Sequence, residues 1–249
     1  MTTLRRLALL LLLVPGPVFA DWSCQSGTAR ANLLELYTSQ GCSSCPPADR
    51  WLSALGDSER LWTDVVPVAW HVTYWDYIGW RDPFARSDND RRQRDMAAAA
   101  RAQVYTPGMF LNRTEYRAWR RHPPVAPDTG RADTGVLSAA ASGAEVTVTF
   151  KPAAGLAVTA PRVELVYLRS GEHTAVAAGE NRGRDLRNDF VAGPLSSADM
   201  EDNGRDWTAN LQARPHAESE AVAVWVTDRG RVLQATGAWL NRESPAQIE

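Results

Sequence analysis

Two nearly unbroken apolar runs, residues 31–38 and 65–72, predict strands covered on both faces, because a half-solvated strand would alternate apolar and polar positions. Between them Ala48, Trp51, Leu52 and Leu55 recur at helical spacing, predicting a helix over residues 46–55 that Gly56 ends. Pro46 and Pro47 fit that helix only in its first turn, where their missing N–H groups cost nothing. Asp88-Asn89-Asp90 predicts the cap of a second helix running to about Gln103. Met109-Phe110-Leu111 predicts a third strand, and residues 115–121 a short amphipathic helix with Tyr116 and Trp119 inward. Strands alternating with helices argue an α/β layer fold for this half.

The pattern changes at residues 122–134. Pro123-Pro124, Pro127 and Gly130 punctuate a polar stretch without periodicity, which reads as a linker. Beyond it, short β-rich runs recur at 144–150, 162–168, 173–178, 205–211, 221–227 and 232–239, with a hairpin turn at Asp228-Arg229-Gly230. No long helical pattern occurs there, so a small antiparallel β-sandwich is expected over residues 135–249, after an α/β domain over 21–122 and a linker over 123–134.

The amino terminus adds a compartment. Arg5 and Arg6 precede an apolar stretch from Leu7 to Val14 that is too short to span a bilayer, and Val18-Phe19-Ala20 resembles a signal-peptidase site. Residues 1–20 therefore read as an export signal, the mature chain starting at Asp21, periplasmic or secreted, with no membrane anchor left. Removing them shifts the formal charge from −2 to −4, with 25 basic residues facing 29 acidic ones. A mildly acidic chain without a basic stripe is a poor nucleic-acid binder. Three cysteines in an exported chain leave one over. Cys24 is the spare: an inert buried thiol, a resolving partner for Cys42, or a link between chains.

The chemistry concentrates in Gly41-Cys42-Ser43-Ser44-Cys45-Pro46-Pro47. Two cysteines at this spacing can close a disulfide or share a metal, and a helix start stabilises a thiolate through its N–H groups and dipole. Cys42, expected to be the more exposed, is the candidate nucleophile and Cys45 the resolver. His71, at the end of the second strand, is a proton shuttle, a third ligand for copper or zinc, or a packed structural histidine. The aromatic segment from Tyr74 to Phe84 can pack the core, roof the site or bind an unfolded chain, and Asp76 and Asp82 read as structural. The mixed charges at Glu180, Arg182, Arg184, Asp185 and Arg187 read as a solvated, internally paired loop rather than an anion site.

Strand, cysteine pair, helix and a later Thr106-Pro107 before a strand together resemble the thioredoxin superfamily. That resemblance implies that Pro107 is a cis-proline, with Thr106 presenting backbone to a substrate. The run from Leu34 to Asp49 with that from His71 to Phe84 resembles more narrowly a family of secreted bacterial proteins catalogued as domain of unknown function 1223. Arg92-Gln93-Arg94, Tyr105-Thr106-Pro107 and Gly179-Glu180-Asn181-Arg182-Gly183-Arg184 also match, whereas Asp185–Asp189 depart from an expected Thr/His-rich stretch. The resemblance implies a thioredoxin-like domain followed by a small antiparallel β-sandwich domain, and a redox-type site without a known substrate. The expected function is a thiol–disulfide oxidoreductase acting on protein thiols or disulfides, recycled by an unidentified redox partner. Its reactive group is the disulfide, with no cofactor and no favoured metal. The alternatives are a copper or zinc metallochaperone using Cys42, Cys45 and His71, and a binding protein whose disulfide is structural.

Overall fold

The computed structural model describes residues 22–124 and 132–240. The export-signal reading, the cleavage point and the middle of the expected linker lie outside them. The first half supplies β1 (Ser23–Gln25), β2 (Asn32–Thr38), α1 (Pro46–Ser53), β3 (Val65–His71), α2 (Ser87–Ala100), β4 (Gly108–Leu111) and β5 (Thr114–Glu115). The second half supplies β6 (Gly135–Ser142), β7 (Glu145–Pro152), β8 (Pro161–Arg169), β9 (Glu172–Ala175), β10 (Asp185–Asn188) and β11 (Val191–Asp199). It closes with β12 (Glu201–Asp202), β13 (Trp207–Gln212), β14 (Ala221–Asp228) and β15 (Arg231–Trp239).

These strands do not sort into an α/β domain and a separate sandwich. One eight-stranded sheet runs β15-β14-β8-β11-β3-β2-β4-β5, taking four strands from each half. A five-stranded sheet runs β1-β6-β7-β13-β12, and β9 with β10 forms a separate hairpin. With only two α-helices among the described residues, the protein is mainly β, and the expected thioredoxin-like α/β domain followed by a small antiparallel sandwich is overturned. The reason lies at β3. On one side it pairs in parallel with β2 over its whole length; its other side would be an open edge, and β11 fills the carboxyl end of that edge. The bond from Ala69 N–H to Phe190 C=O, at 2.8 Å, marks the junction. Pro67, two residues earlier, points its missing N–H to the same side, beyond the reach of β11, so a proline is tolerated inside a buried strand.

Burial follows the same logic. Every residue of β2 and β3 is buried, as their unbroken apolar runs predict. In β8 and β14 successive residues serve different cores. Val166, Leu168, Ala223 and Trp225 join the core around β2, β3 and α1. Val163, Leu165, Val222, Val224 and Val226 face Leu137, Val146, Phe150 and Leu211 of the five-stranded sheet. Other local expectations shift. The first helix stops at Ser53 and continues as a 3-10 turn over Ala54–Asp57, so Gly56 lies inside that turn. α2 starts at Ser87 and ends at Ala100, capped by Arg101 in the left-handed conformation. The residues expected to cap it instead tie it to β3: Asn89 donates to His71 C=O at 2.8 Å, and Asp90 accepts the Thr73 N–H at 2.8 Å. Residues 115–121 form the end of β5 and one 3-10 turn rather than a helix, although Trp119 is buried.

Candidate functional site

Cys42 and Cys45 form a disulfide, with Cα atoms 5.4 Å apart. Cys45 occupies the cap position of α1 in helical conformation, and its C=O accepts the Ala48 N–H at 2.8 Å and the Asp49 N–H at 3.1 Å. The helix start offers a thiolate less than expected. Pro46 and Pro47 carry no N–H, and the Cys45 N–H is spent on Cys42 C=O at 3.2 Å, so the dipole remains but few free donors accompany it. Nor is Cys42 the exposed member. Both cysteines are fully buried, and Ser43 and Ser44 form the exposed part of the loop.

The cover comes from the tip of the β9–β10 hairpin, over residues 176–184. Glu180 Oε2 accepts the Ser43 N–H at 2.9 Å. The fully buried Asn181 donates through Nδ2 to Gln40 C=O at 2.8 Å and Cys42 C=O at 2.9 Å, and Arg184 donates to its Oδ1 at 3.0 Å. The segment read as a solvated charged loop is thus a clamp over the disulfide. Glu180 and Asn181 carry it; the sequence reads Glu180 only as one charge of a paired loop and gives Asn181 no role of its own, although both stand in a stretch that matched the family. The aromatic segment completes the cover. Trp75 Cβ would stand 3.0 Å from a Cβ placed on Gly41, and Ile78 and Trp80 crowd Gly179, which adopts a positive φ of 72°. Trp80 also donates to Gln40 Oε1 at 3.2 Å.

The Thr106–Pro107 peptide bond is cis. Trp75 connects this loop to the cysteine loop, its indole N–H donating to Thr106 Oγ1 at 2.7 Å. Gln93 on α2 fixes the loop from behind, donating to Tyr105 C=O at 2.7 Å.

Ionisable groups are buried around the cysteine loop and the first turn of α1. Asp49 follows Cys45 by four residues on α1, so the two side chains share one face of the helix. His71 and Asp82 are joined by a 2.7 Å bond between Nδ1 and Oδ2, with both side chains fully buried. The same Asp82 oxygen accepts the Gln40 N–H at 2.8 Å, tying the pair to the residue two before Cys42. Asp82 was expected to be structural; it is also the partner that sets His71. Burial pushes the Asp49 carboxyl up to about 6, and the nearby His71 and Thr38 limit the rise. Burial works against an imidazolium at His71, but the Asp82 carboxylate outweighs it and the group stays above its usual range. Burial would raise Asp82; His71 and the Gln40 and Phe84 N–H groups overcome that and hold it low. His71 Nε2 and Thr38 Oγ1 are buried without a conventional hydrogen-bond partner.

Cys24 lies elsewhere, in β1 opposite Ala139 of β6, unpaired, its thiol pushed up to about 12 by burial. Such a thiol is unreactive at neutral pH. Among the described residues no group of three His, Cys, Asp or Glu side chains is disposed to hold a metal ion, and no helix is long and apolar enough to cross a membrane.

A family profile matches residues 33–227. The chain belongs to the family described as protein of unknown function, DUF1223. Comparison with curated proteins gives no match. Among solved structures, an Agrobacterium tumefaciens protein determined by X-ray crystallography is 25% identical with a TM-score of 0.64, covering 86% of this chain and 96% of its own. The second is HBP35 of Porphyromonas gingivalis, 12% identical with a TM-score of 0.57, covering 90% of this chain and 79% of its own. The Agrobacterium likeness extends over strands of both halves, in keeping with a sheet that neither half completes alone.

Proposed function

We propose that this DUF1223 protein is an exported thiol–disulfide oxidoreductase whose Cys42–Cys45 pair exchanges with protein thiols. The observation that carries the reading is the buried set Asp49, His71 and Asp82 around the cysteine loop and the first turn of α1. A disulfide that only staples a loop needs no ionisable neighbours, and burying three of them costs folding energy that a redox site would use. Cys42 is the attacked sulfur, since Ser43 and Ser44 beside it form the solvent-facing side of the loop. Cys45, at the helix cap, is the resolver. The clamp at Glu180 and Asn181 lifts to admit a substrate, and the Thr106–Pro107 loop, held by Trp75, lies along the path of the incoming chain. Export is supported by the basic start, the apolar stretch and the Val18-Phe19-Ala20 end of residues 1–20.

A second reading, a structural staple, is favoured by the complete burial of both sulfurs. Equilibration of the protein with glutathione buffers separates the two. A redox-active pair titrates within the range of known exchange proteins, whereas a staple stays oxidised below about −300 mV. Expression of a Cys45→Ala variant is then expected to accumulate mixed disulfides through Cys42. Failure to titrate, with no mixed disulfides, would establish the staple.

A further inference from the structure

We infer that the cavity between the carboxyl end of α1 and the strand ends of β14 and β15 is a binding site for a small zwitterion with an aromatic group, of the class of a dipeptide. The inference is independent of the exchange activity proposed above. The cavity holds about 610 Å³, within the range of sites for small organic molecules. Arg50, Ser53 and Asp57 come to it from α1 and the 3-10 turn that follows. Glu220 before β14, Trp239 at the end of β15 and Phe190 before β11 line it from the sheet. Its apolar part is aromatic: Trp62 packs behind Phe190 and Trp239, and the three ring centroids lie 5.6 to 5.9 Å apart. Trp62 and Phe190 both hold a positive φ, 68° and 56°, which bulky residues rarely adopt. Strain of this kind persists only where the surroundings impose it, and it collects at ligand sites.

The polar part is left open. Ser53 Oγ is buried without a hydrogen-bond partner. Asp189, also lining the cavity, is only 6% exposed; its Oδ2 lies 3.1 Å from Arg187 Nε without the alignment of a hydrogen bond. Buried polar groups in native proteins are satisfied, so these two call for a partner. Arg187 and Asp189 balance each other's charge. Arg50, Asp57 and Glu220 form no ion pair and no side-chain hydrogen bond among the described residues. A simple anion would therefore meet two acids, and a simple cation would leave Arg50 unanswered. A zwitterion answers all three, its carboxylate on Arg50 and its ammonium on Asp57 and Glu220, with its aromatic group against Phe190 and Trp239. A cavity of this size takes a dipeptide rather than a single amino acid.

The test is calorimetric titration of the full chain at neutral pH with phenylalanyl-alanine, its carboxyl amide and its N-acetyl form. Saturable binding of the free dipeptide is expected, weakened about tenfold by amidation and about tenfold by acetylation. Arg50→Gln should weaken the free dipeptide about tenfold and leave the amide at its wild-type affinity, because that contact is already gone. An Asp57→Asn, Glu220→Gln double variant should behave in the same way toward the N-acetyl form. None of these side chains belongs to either core, so the variants keep the fold. A wild-type protein that does not bind phenylalanyl-alanine would overturn the site. Equal binding of the dipeptide and its amide, or of the dipeptide and its N-acetyl form, would overturn the zwitterion class. An Arg50→Gln loss that persists with the amide would do the same. None of these results bears on exchange, which the glutathione titration reads separately.

Discussion

Burying Asp49 has a consequence for stability that is independent of catalysis. Its carboxyl is raised from 3.8 to about 6, so the folded chain holds the proton more tightly than the unfolded chain. The penalty for its charge is absent below about pH 4 and complete above about pH 6, and two pKa units amount to about 3 kcal/mol. Asp49→Asn is therefore expected to be more stable than wild type by up to about 3 kcal/mol near pH 8, with little difference near pH 3.5. Urea midpoints at the two pH values check this. His71 adds to the trend. Its folded pKa is raised, so its contribution is present below about 6.5 and lost as pH rises through the folded value. His71→Asn should accordingly cost more stability near pH 5.5 than near pH 9. Asp82 acts at the other end, its contribution being lost as pH falls through its depressed value. At this scale Cys42, Cys45 and His71 were legible because their residue types announce chemistry. Asp49 was not, since an acid in a first helical turn reads as a favourable dipole contact until the strand beneath it is known.

Among the elements, the β9–β10 hairpin decides access to the disulfide. Its tip makes no core of its own and is held by the Glu180 and Asn181 bonds to the cysteine loop. Asn181→Ala leaves two backbone carbonyls short of a buried donor and should cost about 1–3 kcal/mol in stability. It should also speed reduction of the disulfide by dithiothreitol at fixed pH. An unchanged reduction rate would show that the tip does not gate the sulfurs. The elements readable from sequence were those with clear patterns: β2, β3, β4, α1 and α2 in the first half, and β7, β8, β9, β13, β14 and β15 in the second. β6 was missed because its Ala-rich run GVLSAAAS has little β-branched content, and β11 because Gly193, Pro194 and Ser196–Ser197 read as loop. β11 survives that composition by pairing with β8 along most of its length, with a register shift between Ala192 and Leu195 where the glycine and proline lie.

In the whole molecule, the two halves are joined by a buried ionic network as well as by the sheet. Arg92 of α2 bonds Glu35 of β2 at 2.9 Å and Glu164 of β8 at 2.7 Å, and its guanidinium lies over Trp70 and Trp225 at 4.7 and 5.4 Å. Trp70 and Trp225 in turn donate to Glu35 at 3.1 Å and Glu164 at 2.7 Å. Arg92→Met would leave both carboxylates buried without their cation, at a cost of about 3–5 kcal/mol. Because the network and the eight-stranded sheet both span the halves, thermal unfolding is expected as one transition, coincident by near-ultraviolet and far-ultraviolet circular dichroism. Two separated transitions would show that the halves unfold independently.

The sequence by itself determined the disulfide-forming pair, the strand–helix–strand order around it and the family. Each is carried by short runs of neighbouring residues, a single run for the pair and several along the chain for the family, where residue type and spacing suffice. Only the tertiary structure decided that the halves share one sheet, because an open strand edge pairs with whatever backbone reaches it and leaves no mark in either strand's pattern. It also decided that both sulfurs are covered, and that Asp49, His71 and Asp82 meet around the cysteine loop and the first turn of α1. Those contacts join residues 11 to 141 positions apart, and burial, which sets their chemistry, is a property of the folded surroundings rather than of any segment.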